Sequence, residues 1–155
     1  MISRILLALG FALSAGANAS PSAEIVGGWR VYKLIVDGVE RPPFNPDLII
    51  DFEFGPDQRS RLAWHREGES GFCERHGLYS YDGEILRDKI TWVNPRNNSD
   101  CAADPDMQLG KEIVQPAVIK GGELLTEFPV DDQKLVFVWK RITSGEAEHR
   151  PAGDR

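Results

Sequence analysis

The sequence contains few of the residues that bind metals or carry redox chemistry, with only two cysteines and three histidines among 155 residues. Cys73 and Cys101 lack the C-x-x-C spacing that tunes thiol reactivity in redox proteins. His65 and His76 would hold a metal or haem only if both faced the interior of a barrel, and we favour partly exposed strand positions for both. We therefore expect neither a metal nor a cofactor.

Positive charge is also scarce, because 18 lysines and arginines stand against 24 aspartates and glutamates, for a net charge of −6. Nucleic acids and anionic lipid surfaces are held mainly by lysine and arginine, so neither is an expected partner. No apolar run approaches the about 20 residues that a membrane-spanning helix needs. The composition predicts a protein that acts on neither nucleic acid nor the bilayer interior.

Known catalytic motifs are absent. The sequence contains no G-x-S-x-G nucleophile turn, no H-E-x-x-H zinc motif and no phosphate-cradling glycine loop. Asp100, Asp104 and Asp106 share one polar loop, but their spacing does not match a calcium-binding loop and no closing glutamate follows. We therefore predict no catalytic residue, no metal ligand and a solvated acidic loop, and an enzymatic function is the minority interpretation.

Residues 1–19 have the composition of a secretory signal, with a short apolar run over 5–15 and a cleavage site at Ala17-Asn18-Ala19. We expect cleavage after Ala19 and a periplasmic or secreted product. One domain is predicted over residues 20–142, followed by a charged, disordered tail over 143–155. In an exported protein two cysteines most simply form one structural disulfide, here between Cys73 and Cys101.

Short runs of alternating apolar and polar residues dominate the remaining chain and predict β-strands. Asp82-Gly83, between two such runs, is a strong hairpin signal. No convincing helix interrupts them, which is typical of a sandwich or a barrel. The predicted strands cover residues 29–36, 48–54, 62–66, 72–81, 86–92, 109–114 with 117–119, 124–128 and 135–142.

The two ends of this domain carry the only family signal. Gly27-Gly28-Trp29 opens the first strand and Phe137-Val-Trp-Lys-Arg141 closes the last, a pattern that resembles the lipocalin-type (calycin) superfamily. The resemblance implies an all-β, antiparallel up-and-down barrel of about eight strands. It also implies that Trp29 closes the barrel floor beside Gly27, with Arg141, or alternatively Lys140, stacked on the indole. The middle lipocalin motif and the helix after the last strand are missing, so the likeness is to a reduced bacterial form without a C-terminal helix.

Such a barrel either fills its interior or holds one small ligand, and we expect a pocket. The Pro-rich segment Arg41–Pro46 could cap its mouth. The inward-facing residues are predicted to be Leu48, Ile50, Phe52, Phe54, Leu62, Trp64 and Trp92. The candidate ligand-binding residues are Arg61, Trp64, His65, Arg75 and Tyr79, a mixture of aromatic rings and polar groups that small-molecule pockets commonly use.

Two functions remain open at this stage. The first is an exported binding module for a small apolar or amphipathic molecule. The second is a protein–protein module, such as an inhibitor that inserts its mature N-terminus, Ser20–Ile25, into the cleft of a secreted protease. The cysteine spacing, wider than in known inhibitors of this kind, counts against the second. Removing Ser20–Glu24 should abolish inhibition and leave a barrel pocket intact.

Overall fold

The computed structural model describes residues 21–130 and 133–143. Over this part of the chain almost all regular structure is antiparallel β-sheet. The predicted signal peptide, most of the predicted tail and the predicted Asp131-Asp132 turn lie outside the described residues. The elements are α1 (Pro21–Ile25), β1 (Gly27–Val36), β2 (Val39–Arg41), β3 (Leu48–Phe54), β4 (Arg59–Arg66), β5 (Phe72–Tyr81), β6 (Ile85–Val93), two 3-10 turns (Ser99–Ala103 and Pro105–Met107), β7 (Glu112–Lys120), β8 (Glu123–Val130) and β9 (Gln133–Arg141).

The strands close into a barrel. β1 pairs with β3, each strand from β3 to β8 pairs with the next along the chain, and β9 returns to pair with β1. The short β2 pairs with the end of β1, beside the part that β3 does not reach. The predicted fold class is therefore confirmed as an all-β, closed, antiparallel barrel of eight strands, with β2 as an extra strand. The described chain continues from Arg141 to Thr143 without a helix.

One end of the barrel is packed solid. Apolar side chains at the start of β1, the end of β3 and the end of β9 meet there and exclude water, as the pleat of each strand turns alternate residues inward. The buried cluster consists of Ile25, Trp29, Phe52, Phe54, Leu62, Tyr79, Tyr81, Leu86, Ala117, Leu124 and Trp139. This end corresponds to the floor that the sequence resemblance implies.

Arg141 stacks on Trp29 at this floor. Its guanidinium carbon lies 4.2 Å from the centroid of the indole ring, within the range of a cation–π contact. The same guanidinium donates to the backbone oxygens of Val26 (2.8 Å) and Glu24 (2.5 Å). Gly27 has a φ of +130°, and a Cβ there would lie 2.7 Å from Arg141 Nη1. Arg141, rather than the exposed Lys140, therefore occupies the stacking position, and Gly27 makes room for it.

A β-bulge in β6 changes the direction of Trp92. Opposite His76 and Gly77 on β5, the pairing passes from Trp92 directly to Ile90, so Thr91 is an extra residue. One extra residue moves every following side chain to the other face of the sheet. Trp92 consequently lies outside, 41% exposed, with its ring 4.8 Å from that of His76. The prediction that Trp92 faces inward is wrong.

The segment between β6 and β7 is fastened to the barrel by Cys73 and Cys101, which form a disulfide. Asn97 adds two backbone-directed hydrogen bonds, accepting from Glu74 N at 2.8 Å and donating to Glu74 O at 3.0 Å. Met107 packs with the two cysteines in a small second core. Both 3-10 turns are thereby held against the end of the barrel opposite the floor. Among the described residues, no helix is long and apolar enough to cross a membrane.

Candidate binding cavity

A cavity of about 330 Å³ occupies the barrel at the end opposite the floor. It lies where β3, β7 and β9 begin and β8 ends, so Leu48, Ile113, Phe128 and Leu135 surround it. These side chains are only half-buried, unlike the fully buried residues at the floor. The apolar lining is Leu48, Ile50, Phe52, Leu62, Trp64, Ile113, Phe128, Leu135, Phe137 and Trp139, and the polar lining is Arg75, Asp88, Asp104, Asp106 and Gln115.

A buried ion pair forms the polar wall of this cavity. Arg75 and Asp88 are 1% and 0% exposed, and Arg75 Nη1 donates to Asp88 Oδ2 at 2.5 Å. Ser60 Oγ donates to the other carboxylate oxygen of Asp88 at 2.6 Å. The guanidinium carbon of Arg75 also lies 5.5 Å from the centre of the Phe52 ring. Burying a charge is costly unless it is paired and hydrogen-bonded, and these contacts meet that requirement for Asp88.

Gly77 provides the space in which this wall is built. It lies on β5 opposite Ser60 of β4 and beside the bulge in β6. A Cβ at Gly77 would lie 2.4 Å from Asp88 Oδ1 and 2.7 Å from Ser60 Oγ. Because real Cβ atoms do not approach so closely, any side chain at position 77 would displace the hydrogen bond between Ser60 and Asp88.

Two buried polar atoms on cavity-lining residues have no hydrogen-bond partner within the described part of the chain. They are Nε of Arg75 and Oε1 of Gln115, and Gln115 is 5% exposed. An unsatisfied buried donor or acceptor costs about 1–3 kcal/mol. Native proteins tolerate few such atoms without a water, ion or ligand to satisfy them. The wall of the cavity therefore buries one unpartnered donor and one unpartnered acceptor.

Asp104 and Asp106 complete the polar part of the lining from the second 3-10 turn. The backbone N–H of Asp106 donates to Asp104 Oδ1 at 2.8 Å, which caps the turn. Burial raises the pKa of Asp106 despite the nearby positive charge of Arg75, and Asp104 raises it further. Both residues are half-buried, which corrects the prediction that they belong to a solvated loop. Asp100 is exposed as predicted.

Of the candidate ligand-binding residues, Trp64 and Arg75 line the cavity. Tyr79 is buried deeper in the core, where its ring lies 4.9 Å from that of Phe54 and its hydroxyl donates to Gly55 O. Arg61 and His65 lie on the outer face of β4, because Leu62 and Trp64 on the same strand point inward and neighbouring residues alternate. Neither Arg61 nor His65 is part of the cavity.

Arg61 instead joins β3 and β5 on the outer surface. It forms ion pairs with Glu53 (2.8 Å) and Glu74 (2.5 Å). Burial raises the pKa of the Glu74 carboxyl, but hydrogen bonds from Asn94 and Arg61 outweigh that effect and leave the pKa below its ordinary value. Arg61 therefore links β3 and β5 on the side of the sheet away from the cavity.

Asp88 and Gln115 belong to the site but were not predicted from the sequence. Each interrupts an otherwise apolar row: Asp88 lies between Leu86 and Ile90 on the inward face of β6, and Gln115 lies between Ile113 and Ala117 on β7. A polar residue in an inward-facing apolar row must find a partner. That signal was available in the sequence, whereas the spatial meeting of these residues with Arg75 was not.

The Pro-rich segment Arg41–Pro46 does not cover the cavity. Arg41 belongs to β2, where it pairs with Leu34, and Phe44 is 70% exposed. Within the described chain, no residue of this segment is part of the cavity lining. The second 3-10 turn, with Asp104 and Asp106, contributes at this end instead.

The N-terminal segment packs against the opposite end of the barrel. Ile25 is fully buried there, and its carbonyl oxygen accepts a hydrogen bond from Trp29 Nε1 at 2.8 Å. The carbonyl of Glu24 is bound by Arg141. Insertion of this segment into a protease cleft would require these contacts to break.

Comparison of the chain with protein-family models, curated proteins and solved structures found no match. The structure is compatible with a lipocalin-like barrel in its strand number and closure. The likeness to that superfamily therefore depends on the barrel and on the residues at its floor.

Proposed function

We propose that this protein is an exported, lipocalin-like binding module that holds one small apolar or amphipathic molecule in the cavity. The observation that carries the proposal is a largely apolar cavity with a few buried polar groups, two of which have an unpartnered atom. Small-molecule pockets commonly have this composition and volumes of about 300–1,000 Å³. At about 330 Å³ the cavity lies near the lower limit of that range, which favours a compact ligand.

Binding would be driven by removing apolar surface from water. The half-buried Leu48, Ile113 and Leu135 side chains would become covered, and each Å² of apolar surface removed from water contributes about 25 cal/mol. The aromatic rings of Trp64 and Phe137 supply broad contact surfaces on two sides of the cavity. The buried ion pair then provides an orienting group for the polar part of the ligand.

Two further features support export and a lipocalin-like assignment. The disulfide fits a protein that matures in an oxidising compartment, as does the signal-like composition of residues 1–19. The stacking of Arg141 on Trp29 at the closed end is the contact that the sequence resemblance implies. The protease-inhibitor alternative gains no comparable support, because the N-terminal segment is bound to the floor.

Filling the cavity provides a direct test. Ile113→Trp places a large side chain among the lining residues, whereas Val114→Trp places the same side chain on the outer face, where Val114 is 50% exposed. Titration with the lipophilic fluorophore Nile red should give saturable binding to the native protein and to Val114→Trp. Binding to Ile113→Trp should be at least about tenfold weaker, because the ligand and the indole would compete for one volume.

The control variant makes the result specific to the cavity. Circular dichroism and a urea denaturation curve should first show that both variants are folded. Equal Nile red affinity for folded Ile113→Trp and Val114→Trp would place binding elsewhere and contradict the proposal. Absence of saturable binding to the native protein would contradict it as well.

A further inference from the structure

A second groove, of about 290 Å³, adjoins the cavity. Leu48, Trp64 and Asp104 line both spaces and therefore form the border between them. Asp104 is half-buried, so this residue is not sealed from water. Beyond the border, the polar side chains that line the groove are His65, Arg66, Glu69, Asn98 and Asp100.

The two arginines of these linings are already paired with carboxylates. Arg75 is 1% exposed and forms its ion pair with Asp88. Arg66 Nη1 lies 3.0 Å from Asp47 Oδ2. A carboxylate on the ligand would therefore have to compete with an existing carboxylate for either guanidinium.

Two carboxyl groups beside the border have no such partner. Asp104 and Asp106 both line the cavity and are half-buried. Among the described residues, no lysine, arginine or histidine lies within ion-pair distance of either group. Burial and the charge of Asp104 raise the pKa of the Asp106 carboxyl, and Arg75 and the exposed Lys111 only partly offset these effects. A positive charge placed nearby would stabilise the ionised form.

This distribution of charge favours a cationic head on the ligand. An anionic head would be repelled by Asp104 and Asp106, and a neutral head would leave both carboxylates unmatched. An ammonium group at the border would not be fully desolvated, which limits the cost of placing its charge there. Trp64, on the same border, offers an aromatic surface of the kind to which cations bind.

We propose that the ligand of the cavity is a cationic amphiphile, such as an alkylamine. Its apolar body occupies the space between Trp64, Ile113 and Phe137. Its ammonium group lies beside Asp104 at the border with the groove, within the field of Asp106. This inference rests on the proposed function and specifies the chemical class of the ligand.

Three probes with the same eight-carbon chain differ in the charge of the head group: octylammonium, octanol and octanoate. At neutral pH the amine is protonated and the acid is ionised. Each probe would be used below its micelle concentration to displace Nile red from the native protein.

Two charge-matched double variants locate the effect. Asp104→Asn/Asp106→Asn removes both charges with little change in side-chain size, and the amide oxygen of Asn at position 104 can still accept from the backbone N–H of residue 106. Glu24→Gln/Glu84→Gln removes the same charge from two exposed residues at the floor end. Urea denaturation should first show that both variants are folded.

The native protein should bind octylammonium about fivefold more tightly than octanol and at least about tenfold more tightly than octanoate, since only the amine gains a charge-assisted contact. In Asp104→Asn/Asp106→Asn the affinity for octylammonium should fall at least about fivefold, whereas that for octanol should change less than about twofold. Glu24→Gln/Glu84→Gln should retain the native affinities within about twofold, because distant surface charges are screened by salt.

Several results would overturn the inference while leaving the proposed function intact. These are octanol or octanoate binding as tightly as octylammonium, failure of all three probes to displace bound Nile red, or equal losses of octylammonium affinity in the two double variants. If Asp104→Asn/Asp106→Asn does not fold, Asp106→Asn alone keeps the Asp104 cap and should still weaken octylammonium binding selectively; no loss there would overturn the inference. If Nile red itself fails to bind the native protein, the proposed function and this inference both fail.

Discussion

Removing Arg75 should be among the most destabilising single changes in this protein. Arg75→Met preserves much of the side-chain volume but leaves Asp88 fully buried, with Ser60 as its remaining hydrogen-bond partner among the contacts described above. Breaking a buried ion pair in this way typically costs about 3–5 kcal/mol. Because a domain of this kind is stable by only about 5–15 kcal/mol, that loss is a large part of the total.

The double variant Arg75→Met/Asp88→Leu separates the cost of an orphaned charge from the value of the pair. Replacing both members of a buried pair with apolar residues is often neutral or even stabilising, so the double variant should recover most of the stability lost in Arg75→Met. Urea denaturation of the native protein, both single variants and the double variant, analysed as a double-mutant cycle, gives the coupling free energy. We expect a coupling of more than about 2 kcal/mol.

A loss of less than about 1 kcal/mol in Arg75→Met would refute this reasoning. It would mean that Asp88 reaches water or takes up a proton, and hence that the polar wall of the cavity is not built as described. Additive effects of the two single changes would lead to the same conclusion. Recovery of stability without recovery of ligand binding in the double variant would agree with a binding role for the pair.

Three further predictions concern the floor, the glycine beside the ion pair and the outer surface. Arg141→Ala should lower the free energy of unfolding by about 1–3 kcal/mol through lost stacking and hydrogen bonds, and a cycle with Trp29→Phe should show coupling; additive effects in denaturation curves would contradict the contact. Gly77→Ala should lower the thermal midpoint more than Gly28→Ala, because a Cβ at Gly77 would collide with Asp88 and Ser60, whereas one at Gly28 would meet only the Ile142 side chain at 3.2 Å; equal shifts would contradict this account. Since the pKa of Glu74 is lowered on folding, its contribution to stability is present above the ordinary pKa of 4.5 and is lost as the pH falls below it. Glu74→Gln should therefore lose less stability than the native protein between neutral and acidic pH in urea denaturation, and identical pH profiles would contradict the assignment.

The strands and the closed end were predictable because they depend on local signals. Alternation over Leu48–Phe54 fixes which face of β3 is inward, and Asp82-Gly83 defines the turn between β5 and β6. The glycine and tryptophan at the start of β1 and the arginine at the end of β9 indicated the floor. Each of these features is specified within a short segment of the sequence, so it can be predicted without knowing any distant contact.

The cavity was only partly predictable because it depends on register and on distant contacts. The bulge at Thr91 reverses the direction of Trp92, and no turn residue marks it. The positions of Asp104 and Asp106 follow from how the 3-10 turns are fastened to the barrel. Arg61 does not line the cavity, because it lies between Leu62 and Trp64 on β4 and both of these side chains point inward.

The disulfide also restricts the segment that forms the acidic side of the cavity. Cys73 lies two residues before Arg75 on β5, and its bond to Cys101 spans a sequence separation of 28 residues. In the chain-entropy model, a cross-link over such a loop removes roughly 3.5 kcal/mol of freedom from the unfolded chain. The covalent link thus helps to hold Asp104 and Asp106 near Arg75 in the folded protein. Under the proposed function, a ligand would meet a wall that is already in place, and its affinity would not be reduced by the entropy of arranging that wall.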